Sequence, residues 1–337
     1  MEKVICFGLC DRNYIDMTKV ALYSFYRYNT QKIKIFLTDD SSELYKKEFK
    51  DFDFFEKIEF IDFCKNSKTK KYIDKHYDDF KSFTFCFDKS GILNVTIANE
   101  VTDYMYEHYG KDYQVILRLD LDVIFFNSID SSIDNFLKSG KRIGGSRESK
   151  SLMHVGRKLF GIEDYIYAET YLNAGNFMYR TDLMYHDQFN RMCNLFETIG
   201  FEKFCYFDQD SVNVMYKDEE KYDANHDGWI ITCSPPSTYL KFLVKKQKPI
   251  FIHFVGCTKP FIDAKKYEHL NLHEPKQNIF AGIFPKYLEV AKIMKCSEDF
   301  CSKIQENYDL NKNWKMDDSS KIQEITIHLI EGLIKNE

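Results

Sequence analysis

The sequence predicts an α/β chain: a mostly parallel sheet flanked by helices, followed by a helical C-terminal segment. Two observations lead there. Apolar runs of strand length alternate with stretches of helical length through the first half of the chain, as in sheets whose parallel strands are joined by helical crossovers. Acidic residues also collect where those runs end, at Asp11, Asp39 and the pair Asp120 and Asp122. Ligands of such sheets bind beyond the carboxyl ends of the strands.

The elements follow in order. "VICFGLC" (4–10) is an apolar run that predicts a buried first strand. Residues 14–28 place Val20, Leu22, Phe25 and Tyr26 on one face of a helix. "IKIFLTDD" (33–40) is a second strand, a polar helix spans about 42–50, and "KIEFIDF" (57–63) is a third strand. A helix over 97–109 leads into "VILRLDLDVIFF" (115–126), which predicts a central buried strand interrupted by two aspartates. The second half is less regular. "RIGGSRES" (142–149) and "LNAGNFMYR" (172–180) predict short strands with glycine-containing turns, and "WIITC" and "PIFIHFVG" (249–256) predict later ones. Residues 321–336 space Ile322, Ile325, Leu329, Ile330, Leu333 and Ile334 as on a helix. The expected organisation is a main domain over 1–275 and a helical appendage over 276–337, through which the chain could form a homo-oligomer.

Composition narrows the class. With 337 residues, 44% of them hydrophobic, the chain can bury a sizeable core and is not disordered. Its 47 basic and 52 acidic residues are well mixed, so the net charge of −5 attracts neither nucleic acid nor acidic membranes. The run Lys245-Lys246-Gln247-Lys248 reads as a solvated loop. Ten cysteines are scattered without a CxxC pair or zinc spacing, which fits free thiols in a reducing cytoplasm. Glu2 and Lys3 precede the first strand where a signal peptide would be apolar, and no apolar stretch approaches the roughly 20 residues of a membrane span. A cytoplasmic location is therefore expected.

The carboxylate pair carries the first chemical signal. On a strand, residues i and i+2 point to the same side, so Asp120 and Asp122 would repel unless a cation lay between them. Hard oxygen ligands suit Mg²⁺ or Mn²⁺, and a histidine would tilt the choice toward Mn²⁺. His253 lies in the apolar run "FIHFVGCTKPF" (251–261), where it is either a core histidine bonded to backbone or a third ligand. Gly256 and Lys259 follow it and could approach and neutralise a phosphate. Asn173, Ala174 and Gly175 form either a tight connection or a cradle for a polar ligand. In "FDQDSVN" (207–213), Asp208, Gln209 and Asp210 stand at a helix start. Acids there can simply cap the helix, a role that accounts for one acid more easily than for two and a glutamine.

Taken in order, "DLDVIFF", "LNAGNFM", "FDQDSVN" and "HFVGCTKPF" resemble the family 8 retaining glycosyltransferases, which include glycogenin and bacterial lipopolysaccharide galactosyl- and glucosyltransferases. The resemblance runs from Val4 to about Phe261 and implies a GT-A fold. It implies that Asp120, Asp122 and His253 hold Mn²⁺, with Mg²⁺ as the alternative, against the diphosphate of a UDP-sugar donor. It further implies that Asp11 and Asn13 contact the uracil and ribose, and that Asn173, Ala174, Gly175, Asp208 and Gln209 surround the transferred sugar. Gly256 and Lys259 would hold the diphosphate. Glu148 stands where the family often has an aspartate touching sugar. Gln209 and Asp210 would be the candidates if a side chain attacked the sugar first. The other route, attack by the acceptor on the leaving-group face, is preferred because no lone carboxylate stands out. The acceptor would be a hydroxyl of a glycan or of a lipopolysaccharide- or capsule-type saccharide.

Two positions depart from the family pattern. The helix before the metal strand usually carries an arginine that contacts donor and buried acids, and residues 91–110 have none; Asn94 and Asn99 are the available substitutes. Phe261 also stands where tryptophan is common. Two other functions fit parts of the sequence: a phosphatase using the first acid of Asp-x-Asp as nucleophile, and a non-catalytic UDP-sugar-binding protein. The position of the pair at 120 and the His253/Lys259 motif speak against the phosphatase.

Overall fold

The structure, a computed structural model, describes residues 1–81, 89–148, 170–204, 206–232, 248–262 and 280–312. The helix expected over 321–336 lies outside these. The chain forms two compact units, each made of several segments.

The first unit, 1–14, 30–120 and 130–225, holds a seven-stranded sheet. Its strands are β1 (Glu2–Cys10), β2 (Ile33–Leu37), β3 (Ile58–Asp62), β4 (Tyr113–Arg118), β6 (Ile143–Gly145), β7 (Met178–Arg180) and β8 (Tyr222–Asp223). The spatial order is β3-β2-β1-β4-β7-β6-β8. The strands from β3 to β4 are parallel, β7 runs antiparallel between β4 and β6, and β8 is parallel to β6. Val4 to Phe7 are all buried, as an unbroken apolar run must be when helices cover both faces of a parallel sheet. The helix Ala98–Tyr109 sends Val101 and Met105 into the same core as Phe7, Phe36 and Ile116. Phe36 meets Phe63 and Tyr104 edge to face at 5.3 and 5.5 Å.

The second unit, 15–29, 121–129 and 226–337, holds a three-stranded sheet of β5 (Val123–Phe125), β10 (Phe251–His253) and β9 (Trp229–Ile231), in the order β5-β10-β9. β10 is antiparallel to β5 and parallel to β9. Phe125, Phe251 and Trp229 form a continuous aromatic row, with centroids 5.3 and 5.1 Å apart, and Phe25 of the helix Ile15–Tyr26 packs on Phe125 at 5.1 Å. Helices Phe284–Ile293 and Glu298–Lys312 complete this unit. Asp16 Oδ2 caps the second of these, accepting from the backbone N–H and hydroxyl of Ser297 at 3.1 and 2.6 Å. No helix among the described residues is long and apolar enough to cross a membrane.

Two expectations are corrected. "VILRLDLDVIFF" is not one strand. β4 ends at Arg118, and the chain resumes as β5 in the other sheet. The ladder with β1 runs out as Leu119 N–H reaches Phe7 O at 2.8 Å, and Asp120 N–H then turns to Gly175 O at 2.7 Å. Asp120 and Asp122 therefore sit in the bend between strands. What brings them together is that bend and not the alternation of side chains along a strand. The expected strand over 172–180 likewise begins only at Met178, because Ala174–Asn176 form a short 3-10 turn.

Candidate active site

The site residues are set out at strand ends, as the α/β reading requires. At the end of β1, Asp11 is buried. Its Oδ1 accepts the backbone N–H of Asn13 at 2.8 Å, and its Oδ2 accepts the Asn94 amide at 3.0 Å. Asn13 itself is exposed. Of the two asparagines in the preceding helices, Asn94 thus serves this cluster. Asn99 faces the core, donating to Ser211 Oγ at 3.2 Å.

Beyond β4, Arg118 is a buried cation between two acids. Its Nη1 bonds Asp208, and its Nη2 lies 3.6 Å from Asp120 Oδ1. Burial pushes the Asp208 carboxyl up to about 6, against the pull of Arg118. Burial also opposes the charge on Arg118, yet Asp208 and Asp120 outweigh it and raise its ionisation above the ordinary range. Asp208 opens the helix Phe207–Met215, and both it and Arg118 are almost fully enclosed.

The same helix carries Gln209, the centre of a polar network. Its Nε2 donates to Glu148 Oε1 and to Tyr171 Oη, both at 2.8 Å. Its Oε1 accepts from Ala174 N–H at 2.8 Å and Asn173 Nδ2 at 3.1 Å. All four hydrogen-bonding positions of this amide are in use. Asn173 adds a bond to Glu148 at 2.9 Å and closes its own turn on Gly175 N–H at 2.9 Å. Asp210 joins this network through Tyr171. Its two oxygens accept Tyr171 Oη at 2.6 Å and the Tyr206 N–H at 2.8 Å, which is the work of a helix-start acid.

At the end of β10, in the second unit, Asp122 lies between two basic groups. Its Oδ1 is 2.9 Å from His253 Nε2 and its Oδ2 is 2.7 Å from Lys259 Nζ. Phe254 N–H bonds the Asp122 carbonyl at 2.9 Å and fixes the acid to the strand end. Burial works against its charge, but Lys259 and His253 prevail and hold the carboxyl well below the usual carboxylate range. Gly256 has φ +58°, in the left-handed region that favours glycine, with open space around its α-carbon. It turns the chain between His253 and Lys259. Asn307 Nδ2 donates to the carbonyls of Pro260 and Ile262, both at 2.8 Å, and anchors the segment just after Lys259.

Asp120, Asp122 and His253 each present one ligand atom, and these atoms lie within 4.8 Å of one another. The donor set fits a divalent ion. Two carboxylates and an imidazole suit Mn²⁺ or Mg²⁺, and the imidazole favours the former. Asp122 Oδ1 is buried with no donor aligned on it among the described residues, although His253 Nε2 lies 2.9 Å away. The nearby Tyr287 hydroxyl is also buried and unbonded among them; burial first, then the Asp122 charge, raise its ionisation well above the normal phenol range.

The structure therefore gathers expected residues into three groups: Asp11 with Asn13, the network of Glu148, Asn173, Ala174 and Gln209, and the candidate metal cluster with Lys259, while Asp208 pairs with Arg118. Two contributors went unread in the sequence. Arg118 was visible as a cation in an apolar strand two residues before Asp120, a placement that demands a buried partner. Tyr171 lies just before the Leu172-Asn173 stretch and gave no sign of its hydrogen bonds.

No known family model and no curated protein sequence matches the chain. Solved structures do. The galactosyltransferase LgtC, crystallised with donor and acceptor sugar analogues, superposes with a TM-score of 0.59 at 18% identity, over 89% of this chain and 99% of its own. The bifunctional glycosyltransferase WbbM gives 0.55 at 13% identity, over 93% of this chain and 52% of its own. Mouse xyloside xylosyltransferase 1 gives 0.50 at 16% identity, over 77% of this chain and 100% of its own. The fold of this chain is accordingly the GT-A fold of glycosyltransferases.

Proposed function

We propose that the chain is a retaining glycosyltransferase that moves a hexose, glucose or galactose, from a UDP-sugar to a saccharide hydroxyl with the help of Mn²⁺, or Mg²⁺ in its place. The observation that carries this reading is the convergence of Asp120, Asp122 and His253 in a chain of GT-A fold. Asp11 and Asn13 hold the uracil and ribose. Asn173, Ala174, Gly175, Glu148, Asp208 and Gln209 surround the sugar, and Gly256 and Lys259 hold the diphosphate. A divalent ion bound to Asp120, Asp122 and His253 supplies Lewis-acid stabilisation to the diphosphate as it leaves.

The hydrogen bonds of Gln209 bear on the route. Both acceptor positions of its carbonyl oxygen are occupied, by Asn173 and Ala174. Attack on the sugar by that oxygen would give up both bonds. Asp210 is equally engaged and Asp208 is paired with Arg118. The reading that fits is attack by the acceptor oxygen on the face the diphosphate leaves. The new glycosidic bond forms as the old one breaks, and the departing phosphate takes the acceptor proton. Lys259 steadies that phosphate, while Gln209 holds Asn173 and Glu148 in place around the sugar. Arg118, beside Asp120 and Asp208, takes over the charge balance that the family assigns to a helix arginine.

A donor screen tests the proposal. UDP-glucose, UDP-galactose and the N-acetyl sugars are compared for UDP release with and without Mn²⁺. Release from one hexose donor, dependent on the ion, is expected. UDP that binds without turnover of any donor, even with saccharide acceptors, would favour a binding protein. Phosphate release from a simple ester with intact UDP-sugar would favour a phosphatase.

A further inference from the structure

The buried Asp122 carboxylate already has its charge compensated. Its side chain is only 8% exposed, with Lys259 on one oxygen and His253 on the other. An uncompensated carboxylate at such a place would be costly, so the charged form requires a cation beside it. Lys259 is suited to be a removable one. Its side chain is 25% exposed, while the backbone after it is pinned by Asn307. The flexible four-carbon stem can therefore swing without the loop moving. An ion held by Asp120, Asp122 and His253 would put its charge on the same carboxylate that the ammonium now occupies. Two cations so close repel, and the weaker, mobile one leaves.

We infer that Lys259 is a built-in counter-cation, held by Asp122 until the ammonium gives way to a divalent ion and moves to the diphosphate. The inference rests on the metal-site reading above and gives Lys259 a second role in it. One exchange then links two binding events. The ion frees the lysine for the nucleotide, and the nucleotide, by engaging the lysine, removes the competitor of the ion. By reciprocity each tightens the other by the same factor.

The test is Mn²⁺ binding to the free protein, measured by calorimetry and by the electron-spin resonance of unbound Mn²⁺, without and with UDP. Wild type, Lys259→Met and Lys259→Gln are compared. Both variants should bind Mn²⁺ alone about tenfold more tightly than wild type, within the usual range of site-to-site coupling. The tightening of Mn²⁺ by UDP should shrink in both. Mn²⁺ should also raise the melting temperature of the variants more than that of wild type, because it restores the missing counter-charge. Variants that bind Mn²⁺ alone no better than wild type overturn the exchange while leaving the metal site standing. The wild type alone also decides the matter: Mn²⁺ affinity indifferent to UDP overturns the exchange even if neither variant folds. Absence of Mn²⁺ binding by wild type with UDP present, or equal binding by Asp122→Asn, overturns the metal site and the exchange together.

Discussion

Replacing Arg118 by methionine keeps most of the side-chain volume and removes the cation between Asp208 and Asp120. The consequence should depend on pH in a calculable way. Burial holds Asp208 at about 6 in the fold, against 3.8 unperturbed. Its folded-state value is raised, so its ionisation opposes folding, and the cost grows as pH climbs from about 4. In wild type that cost stops growing near pH 6, at about 3 kcal/mol. Without Arg118 the acid stays protonated to higher pH, and the cost continues to rise by about 1.4 kcal/mol per pH unit. If it is still protonated at pH 8, the cost reaches roughly 6 kcal/mol there. The deficit of the variant should therefore widen by about 3 kcal/mol between pH 5 and pH 8, on top of the loss of the Asp120 contact at both. Urea unfolding at the two pH values measures this. With a slope of about 3 kcal/mol per molar, the midpoint gap between variant and wild type should widen by roughly 1 M from pH 5 to pH 8. A gap equal at both pH values, or wider at pH 5, would refute the assignment of Arg118 as the partner of Asp208.

Three further outcomes are expected. Asp122→Asn should abolish Mn²⁺-stimulated turnover with the circular dichroism spectrum unchanged, and substantial ion-stimulated activity would remove Asp122 from the ligand set. Gln209→Ala should lower kcat by about 100-fold, the cost of misplacing groups around a reacting centre by about 1 Å, and unchanged steady-state kinetics would show that its network does not shape the site. With donor and Mn²⁺ but no acceptor, water should release free sugar slowly in the α configuration. Proton NMR before mutarotation reads this, and β-sugar as first product contradicts retention.

The parallel sheet was legible because its strands are short apolar runs separated by helices, and β1, β2 and β3 fall at the stretches 4–10, 33–40 and 57–63, β2 ending early at Leu37. The site was legible as residue types, because Asp-x-Asp, Asp-Gln-Asp and His-x-x-Gly-x-x-Lys are local in sequence. The break between β4 and β5 was not. An apolar stretch looks the same whether it continues in one sheet or crosses to another, and only the hydrogen bond of Asp120 to Gly175 decides it. The contact of Lys259 with Asp122 was equally hidden, since it depends on how β10 pairs with β5. Asp210 shows the opposite limit. It shares a motif with Asp208 and Gln209, yet its oxygens serve Tyr206 and Tyr171.

The capping of the last described helix by Asp16 spans 281 residues of chain. On a ribosome adding about 5–20 residues per second, the donor and acceptor of that bond are made roughly 15 to 55 seconds apart. During that interval the helix Ile15–Tyr26 and the strand β5 that follows Asp122 exist without β10 or the C-terminal helices of their unit. The nascent chain thus carries an apolar helix face through most of its synthesis, and Asp122 without its basic partners until residues 253 and 259 are made. A stop codon before His253 would leave that state permanent, so such truncated chains should be found bound to chaperones or degraded.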